Sequence, residues 1–333
     1  MKIIAKVPLR VSFFGGGTDI PPYCDAYGGE ILYSTINRYA YCEIETNWER
    51  DVIVLGDDNE VYCDGDLQYT GKYGIVKAVL HVLKIRKGCR IRISSDVLQG
   101  TGLGGSSAQT AAVILACYGW EHKKISKKAL AQQAYHIERL VLKVKGGYQD
   151  PITTVYGGIG YLRVWNIMDF NVRRLALSES EIERLKDSLI LFYTGMRHNS
   201  SAIMEEHIQR QAENREQNIE LMQYMKELAS QAQAVLKQGD IVKLGNMLNL
   251  GWEYKKQMAG SVSGQFIDGL YDGARKAGAL GGKILGAGGG GYLLLCVEEK
   301  LRQNVIDFLS EQSGKIENDW RFDFIGARLE EQL

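Results

Sequence analysis

The sequence predicts an α+β protein with about two domains. Its 333 residues are 45% hydrophobic and 24% charged, which is typical of a globular protein. A chain of this length usually forms about two domains. Strand-like and helix-like segments are mixed in both halves, as in an α+β fold. The chain turns polar and charged near residues 165–185, and we therefore predict domains at residues 1–175 and 176–333.

Apolar periodicity locates the elements of the N-terminal half. Alternation or enrichment in Tyr, Ile and Thr predicts strands, and apolar residues recurring on one face predict helices. The predicted elements are strands at 2–14, 31–45 and 90–94, short β pieces within 49–70, helices at 73–84, 108–120 and 126–144, and a strand or hairpin at 156–165.

The C-terminal half is richer in helical patterns. Residues 202–237 contain many Glu, Gln and Ala with a thin apolar stripe, which predicts one or two helices packed by one face. The other predicted elements are strands at 188–194 and 320–329, helices at 240–257, 265–277 and 301–309, and two strands joined by a glycine-packed turn within 281–297.

A glycine-rich loop at residues 99–108 lies between the strand at 90–94 and the helix that follows it. Glycines at this turn let the backbone approach a ligand closely, and unpaired N–H groups at the helix start favour an anion. The loop is not a Walker loop, because no lysine occurs between Lys87 and Lys123. Its spacing fits GxGxxG, but a helix follows where a Rossmann unit needs a strand. Taken alone, the loop is equally compatible with a tight structural turn.

Charge and cysteine content limit the classes of partner. Lys plus Arg and Asp plus Glu both number 40, so there is no overall charge for nucleic acid or an anionic membrane. No apolar run reaches membrane-spanning length, and the first residues are too short and charged for a signal peptide. The six cysteines are dispersed without CxxC or metal spacing, as in a reducing compartment. We predict a cytoplasmic protein without nucleic-acid or membrane partners.

Three glycine-rich segments stand in order, at residues 8–19, 99–108 and 283–291. Together they resemble the galactokinase, homoserine kinase, mevalonate kinase and phosphomevalonate kinase (GHMP) superfamily over nearly the whole chain. The PLRVSFFGGGTD and GLGGSSA stretches are most similar to D-glycero-D-manno-heptose 7-phosphate kinases, with fucokinase-like enzymes nearby. The resemblance implies a ribosomal protein S5 domain 2-like N-terminal domain, a ferredoxin-like C-terminal domain, and ATP and sugar bound between them.

The resemblance also assigns two catalytic residues. Asp150 matches the family's candidate base, which would accept or orient the proton of the attacking sugar hydroxyl. Arg10 matches a basic residue near the transferred phosphate, where it would offset developing charge. A turn-capping aspartate and a surface salt bridge are the competing interpretations of these two residues.

The nucleotide and metal residues follow from the same alignment. Glu138, twelve positions before Asp150, corresponds to the family's magnesium-binding glutamate, and Ser106 to its hydroxyl ligand. An extra glycine in the loop leaves Ser107 as an equal alternative, and an exposed glutamate and a capping serine are the structural readings. The predicted ATP-binding residues are Gly100, Thr101, Gly102, Leu103, Gly104, Gly105, Ser106 and Ser107.

The sugar would be bound by the first and third glycine segments and by a separate basic segment. The resemblance places Thr18 and Asp19 at sugar hydroxyls, and Gly288 and Gly289 in the backbone that closes over the substrate. Turn capping and hairpin packing are the alternatives. For a second phosphate, the chain offers Arg197 beside His198 and Ser200 before a predicted helix. Lys143 and Lys145 are alternative cations.

The function that this resemblance implies is ATP- and Mg²⁺-dependent phosphorylation of a heptose 7-phosphate at C1. The product would feed nucleotide-activated heptose and surface polysaccharide synthesis. A kinase of an unphosphorylated sugar such as fucose or galactose is the nearest alternative, followed by a catalytically silent sugar or nucleotide sensor. A Rossmann dehydrogenase is a distant third. We expect a small-molecule sugar phosphate as partner and a monomer or homodimer.

Overall fold

Two β-sheets with surrounding helices form the molecule. The computed structural model describes residues 2–45, 53–56, 60–62, 69–86, 88–196, 200–213 and 215–330. The strands, in chain order, are β1 (Lys2–Phe14), β2 (Gly29–Glu45), β3 (Ile53–Leu55), β4 (Glu60–Tyr62), β5 (Cys89–Ser95), β6 (Ile159–Val164), β7 (Phe170–Arg174), β8 (Leu189–Tyr193), β9 (Ala279–Ile284), β10 (Tyr292–Val297), β11 (Lys315–Ile316) and β12 (Arg328–Glu330).

Eleven α-helices lie in the described part of the chain. A π-helical turn over His136–Val141 continues α4. The α-helices are α1 (Tyr23–Tyr27), α2 (Gly74–Leu83), α3 (Gly105–Trp120), α4 (Lys127–Tyr135), α5 (Gln149–Tyr156), α6 (Glu179–Asp187), α7 (Ser200–Glu213), α8 (Arg215–Gln238), α9 (Ile241–Met258), α10 (Gln265–Lys276) and α11 (Arg302–Ser310).

The N-terminal sheet is built around the long antiparallel pair of β1 and β2, which runs from Lys2 opposite Glu45 to Phe14 opposite Leu32. Its strand order is β12-β1-β2-β5-β3-β4, and β6 and β7 continue from the start of β2. Helix α3 packs across β1 and β2. Ala and other apolar residues are buried around most of this helix, as expected of a core helix. This arrangement holds the start of α3 beside the end of β1.

The C-terminal sheet is antiparallel with the strand order β11-β8-β10-β9. Chain order runs from β8 through four helices to β9, then directly to β10, and through α11 to β11. The βαββαβ order with the first strand between the third and fourth is the ferredoxin-like arrangement. The predicted α+β, two-domain fold is therefore confirmed. Among the described residues, no helix is long and apolar enough to cross a membrane.

The structure corrects some predicted elements. The strand expected over 320–329 is shorter, because the Asp323 carboxylate accepts hydrogen bonds from the N–H groups of Ile325 and Gly326 and forms a turn there. Only β12 remains, and it pairs with β1 of the other sheet. The helix expected over 126–144 is interrupted by the π-helical turn. Where the boundary near 165–185 was expected, β7 and α6 form, and the domain limits stay a prediction.

Candidate active site

The glycine loop at residues 99–108 forms an uncapped turn at the start of α3. Gly100, Gly102 and Gly104 have φ values of 78°, 85° and 72°, a region that favours glycine. Gly104 is the N-cap of α3, and no side chain caps this end of the helix. The first N–H groups of α3 are therefore free of side-chain caps, as the predicted anion site requires; anion binding at this turn stays a prediction.

The same loop touches the C-terminal domain. A Cβ atom on Gly102 would lie 2.5 Å from the carbonyl oxygen of Leu285, and one on Gly286 would lie 2.6 Å from the Gly102 Cα. The N–H of Tyr292 donates to the carbonyl of Thr101 at 3.0 Å. The glycines of the second and third segments thus allow the backbones of the two domains to meet. The cavity beside this contact is lined by residues of both domains.

Arg10 and Asp150 form a bidentate ion pair beside the loop. Arg10 Nε lies 2.7 Å from Asp150 Oδ1, and one terminal nitrogen lies 2.9 Å from Oδ2. The other terminal nitrogen donates to the carbonyl of Gly102, which ties the pair to the glycine loop. Arg10 is only 2% exposed, whereas the Asp150 side chain keeps 23% of its surface exposed. The arginine is thus a fixed part of the wall, and the carboxylate is accessible from the cleft.

Glu138 and Ser107 form a second polar pair in the cavity that Arg10 and Asp150 also line. Ser107 Oγ donates to Glu138 Oε2 at 2.5 Å, and Arg139 lies 3.3 Å from Oε1. Glu138 is 1% exposed, so it is not the exposed glutamate of the alternative interpretation. The π-helical turn carries it inward, and such turns are frequent at functional sites. Both Ser106 and Ser107 line the cavity, and Ser107 contacts this carboxylate.

These oxygen donors fit a magnesium ion. Mg²⁺ is usually held by one or two protein oxygens together with phosphates and waters, and Glu138 and Ser107 offer a carboxylate and a hydroxyl at the anion-binding turn. Within the described ranges, no cluster of three or more His, Cys, Asp or Glu residues that could hold a metal is found. The site therefore suits a metal that arrives with phosphate oxygens.

Asp19 faces the cavity from the first glycine segment. Its carboxylate accepts hydrogen bonds from the N–H groups of Gln149 at 3.0 Å and Gly17 at 3.3 Å. Burial, and to a smaller extent the Asp150 charge, raises the pKa of Asp19 to about 6. Thr18 lies behind it, because its hydroxyl bonds to Gly15 and Glu30 within the turn. Asp19 is thus available to a ligand, whereas Thr18 stabilises the turn and does not line the cavity.

Gly288 and Gly289, which were also predicted to contact substrate, do not line the cavity. Of the third glycine segment, Gly286 and Ala287 line the cavity, whereas Gly289 donates its N–H to the carbonyl of Val262. Gly288 and Gly289 therefore lie beside the cavity wall. Arg197 and His198 lie outside the described residues, as does the side chain of Ser200.

Three cations in or beside this site were not found from the sequence. Arg139 lines the cavity, and its Nε is buried without a hydrogen-bond partner. Lys255 also lines the cavity and is 6% exposed, and Lys283 is 3% exposed. Lys255 had a detectable signal, because it falls on the apolar stripe of α9 three residues after the buried Trp252. A lysine in such a stripe indicates a buried charge.

The fold and the site together define a kinase that transfers phosphate to a small molecule. Residues 73–158 match the GHMP kinases N-terminal domain, and residues 220–315 match the GHMP kinases C-terminal domain. The chain is 30% identical to a D-glycero-alpha-D-manno-heptose 7-phosphate kinase of Campylobacter jejuni, over 98% of this chain and 99% of the other.

Solved structures agree with this relationship. A D-glycero-D-manno-heptose 1-phosphate kinase from Bacteriodes thetaiotaomicron superposes with a TM-score of 0.81 and 27% identity, over 99% of both chains. A putative sugar kinase from Campylobacter jejuni superposes with a TM-score of 0.76 and 28% identity, over 98% of both. This chain belongs to the GHMP kinase family. It is an ATP-dependent sugar kinase.

Proposed function

We propose that this kinase phosphorylates D-glycero-D-manno-heptose 7-phosphate at C1, giving the 1,7-bisphosphate for nucleotide-activated heptose and surface polysaccharide synthesis. The observation that carries the proposal is the Arg10–Asp150 pair beside the open start of α3, with Asp19 in the same cavity. The choice of a heptose phosphate is supported by the similarity to kinases named for such sugars. We place the reaction in the cytoplasm, where ATP is made.

In this reaction Asp150 orients the C1 hydroxyl of the sugar and accepts its proton as the hydroxyl oxygen bonds to the γ-phosphorus of ATP. The bond from that phosphorus to the β,γ-bridging oxygen breaks, and ADP leaves. Arg10 fixes both carboxylate oxygens and offsets the charge that develops on the transferred phosphoryl group. Asp19 binds hydroxyls of the sugar ring through the carboxylate lone pairs that do not accept backbone N–H groups. Positioning and charge neutralisation supply most of the catalysis, and no covalent enzyme intermediate is needed.

We assign the metal site to Glu138 and Ser107, with Ser106 as the alternative hydroxyl. When bound there, Mg²⁺ would neutralise charge on the nucleotide phosphates. For the nucleotide base we propose the neighbouring groove, which shares Ser106 and Val144 with the cleft and is also lined by Tyr69, Ile75 and Leu142. An aromatic and aliphatic lining of this kind suits a planar base.

The phosphate already present on the sugar needs a basic site of its own. Arg139, within the π-helical turn, and Lys145, four residues after its end, line the same cavity. A guanidinium group matches the geometry of a phosphate. The names of the two heptose kinases place that phosphate on C7 in one and on C1 in the other. Its position is therefore the part of the proposal that most needs a direct test.

The test is ADP release by the purified protein with ATP, Mg²⁺ and a panel of sugars. The panel contains heptose 7-phosphate, heptose 1-phosphate, mannose 6-phosphate, fucose and galactose. We expect fast turnover with heptose 7-phosphate and phosphate added at C1, identified by NMR of the product. Turnover with heptose 1-phosphate or a free sugar alone would replace the proposed substrate. Nucleotide binding without turnover on any sugar would favour the sensor alternative.

A further inference from the structure

Three buried cations lie in the wall of the cavity or just beneath it, and the structure shows a carboxylate paired with one of them. Arg10, Lys255 and Lys283 are each at most 6% exposed. Arg10 pairs with Asp150, and in the described part of the chain no carboxylate lies within salt-bridge distance of either lysine. Burying an ammonium group without a counter-ion is unfavourable. The cluster is therefore electrostatically incomplete in the absence of an anion.

Lys255 reaches the cavity from the C-terminal domain. It lies in the last turn of α9, and its Nζ donates to the carbonyls of Ile284 at 2.8 Å and Gly286 at 2.7 Å. These contacts hold the ammonium group at the start of the third glycine segment. That segment packs against Gly102 of the glycine-rich loop at residues 99–108. Lys255 lines the cavity, so its third N–H bond is within reach of a ligand bound there.

Lys283 supports the same region from behind Gly16. Its Nζ lies 3.3 Å from the carbonyl oxygen of Phe13 and 3.9 Å from the position of a Cβ on Gly16. Ser12 Oγ lies 3.4 Å from that same position and is buried without a hydrogen-bond partner. Gly16 lines the cavity. A cation and an unpartnered hydroxyl therefore lie just beneath the cavity wall at this point.

The charged groups that act on Lys255 are Lys283 on β9 and Arg10 on β1. Burial, followed by these two positive charges, lowers the pKa of Lys255 well below its ordinary value. Burial and Arg10 lower the pKa of Lys283 to about 7. A nearby anion has the opposite effect, because it favours the charged form of each lysine.

We propose that Lys255 contacts the phosphoryl group during its transfer from ATP. Lys283 stabilises the negative charge of that phosphoryl group from behind Gly16. The C-terminal domain then supplies cationic catalysis to the Arg10–Asp150 pair of the N-terminal domain. The ligand is the transferred phosphoryl group and not the phosphate on the sugar. At Asp150 the attacking hydroxyl is on C1, and a phosphate on C7 is at the other end of the sugar. The inference rests on kinase activity and on transfer at the Asp150 end of the cleft, not on which sugar is the acceptor.

The test compares Lys255→Met with Lys256→Met. The neighbouring Lys256 pairs with Glu253 and does not line the cavity, so it is a matched control on the same helix. We expect Lys255→Met to lower kcat by about 100-fold, as loss of one transition-state donor does. Its KM for sugar should change by less than about threefold, because the residue acts on the phosphoryl group. Lys256→Met should retain wild-type kcat.

A second measurement separates contact with the phosphoryl group from support of the glycine turn. Calorimetry at pH 8 in buffers of different ionisation enthalpy counts the protons taken up when ADP or a non-hydrolysable ATP analogue binds. We expect greater uptake with the analogue, by up to about one proton, because only the analogue carries a γ-phosphate. Lys255→Met should reduce that difference, and Lys283→Met should reduce it further in the double variant.

Several results would overturn the inference. One is an unchanged kcat in Lys255→Met. Another is an uptake that is the same for ADP and the analogue in the wild-type protein. A third is a loss of kcat that follows a loss of thermal stability while the uptake difference persists, which would assign Lys255 to the turn alone. Failure of the heptose panel with normal analogue binding and uptake would instead reject the proposed substrate and leave the lysine assignment in place.

Discussion

Replacing Asp19 with asparagine tests whether a buried, chargeable carboxylate faces the sugar. The wild-type side chain is 1% exposed and accepts two backbone N–H groups, those of Gly17 and Gln149. Asparagine has nearly the same shape but only one acceptor oxygen, so one of those N–H groups would face its NH₂ group. That mismatch is present at every pH, whereas the carboxylate's burial energy depends on its charge.

The pH-dependent part can be worked from the pKa. The value is raised from 3.8 to about 6, a difference of about 2 units, and each unit corresponds to about 1.36 kcal/mol. The native state binds the Asp19 proton more tightly than the unfolded state does. The stability contributed by this proton is therefore complete below pH 4 and is lost as the pH rises from about 4 to 6. In total, charging Asp19 lowers the free energy of unfolding by about 3 kcal/mol.

Urea unfolding of wild type and Asp19→Asn between pH 4 and 7 measures this contribution. We expect the free energy of unfolding of the variant, relative to that of wild type, to increase by about 3 kcal/mol across that range, because only the wild-type protein loses this stability. Asp272→Asn, at an exposed position, is the control that shows the effect of replacing a carboxylate with an amide without burial. A difference between Asp19→Asn and wild type that does not vary with pH would refute the reasoning. If the carboxylate also binds sugar hydroxyls, the variant should show a raised KM for sugar above pH 6.

Three further predictions concern catalysis, metal and domain contact. Asp150→Asn should lower turnover by about 1000-fold while calorimetry shows ATP-analogue affinity within about twofold of wild type. Ser107→Ala should raise the Mg²⁺ concentration for half-maximal activity by about tenfold, and Ser106→Ala should raise it much less. Gly102→Ala places a Cβ 2.5 Å from a carbonyl oxygen at a φ of +85°, and should lower stability by about 1–3 kcal/mol in thermal unfolding. Gly105→Ala, whose Cβ would meet no atom within 4 Å, is its matched control.

The contrary results are equally specific. Full turnover in Asp150→Asn would remove the assigned base. A larger metal effect from Ser106 than from Ser107 would move the hydroxyl ligand back to the ungapped alignment. Equal stability of Gly102→Ala and Gly105→Ala would show that Gly102 is not in tight contact with the C-terminal domain.

The sequence predicted those parts of the site that lie in continuous segments. The loop at residues 99–108 and Asp150 could be found because glycine spacing and a short turn are local features. Glu138 was predicted as a metal ligand, and that role stays a prediction; its burial was not foreseen, because the π-helical turn that carries it inward has no distinctive composition. The sequence left Ser106 and Ser107 as alternatives because the loop carries an extra glycine, and only the packed structure shows that Ser107 meets Glu138.

Lys255 shows a different limit of sequence reasoning. Its position on an apolar stripe of α9 indicates burial, but its partners are carbonyls more than twenty-five residues away in sequence. Backbone carbonyls have no residue signature, so nothing in the local sequence shows that they converge on this lysine. Arg139 was missed for a related reason, since a charged residue in an amphipathic helix is normally solvent-exposed. Only the packed structure shows that its Nε is enclosed.

The third glycine segment illustrates why a motif's chemistry and its packing must be separated. From sequence, its glycines suit either a backbone closing on phosphate or a tight hairpin. In the structure, a Cβ on Gly291 would lie 2.3 Å from the Thr101 carbonyl oxygen and one on Gly286 would lie 2.6 Å from the Gly102 Cα. The glycines therefore let the two domains' backbones touch at the glycine-rich loop of residues 99–108. Because Lys255 binds the carbonyl of Gly286, the proposed contact of this lysine with the transferred phosphoryl group would act on the backbone at which the two domains meet.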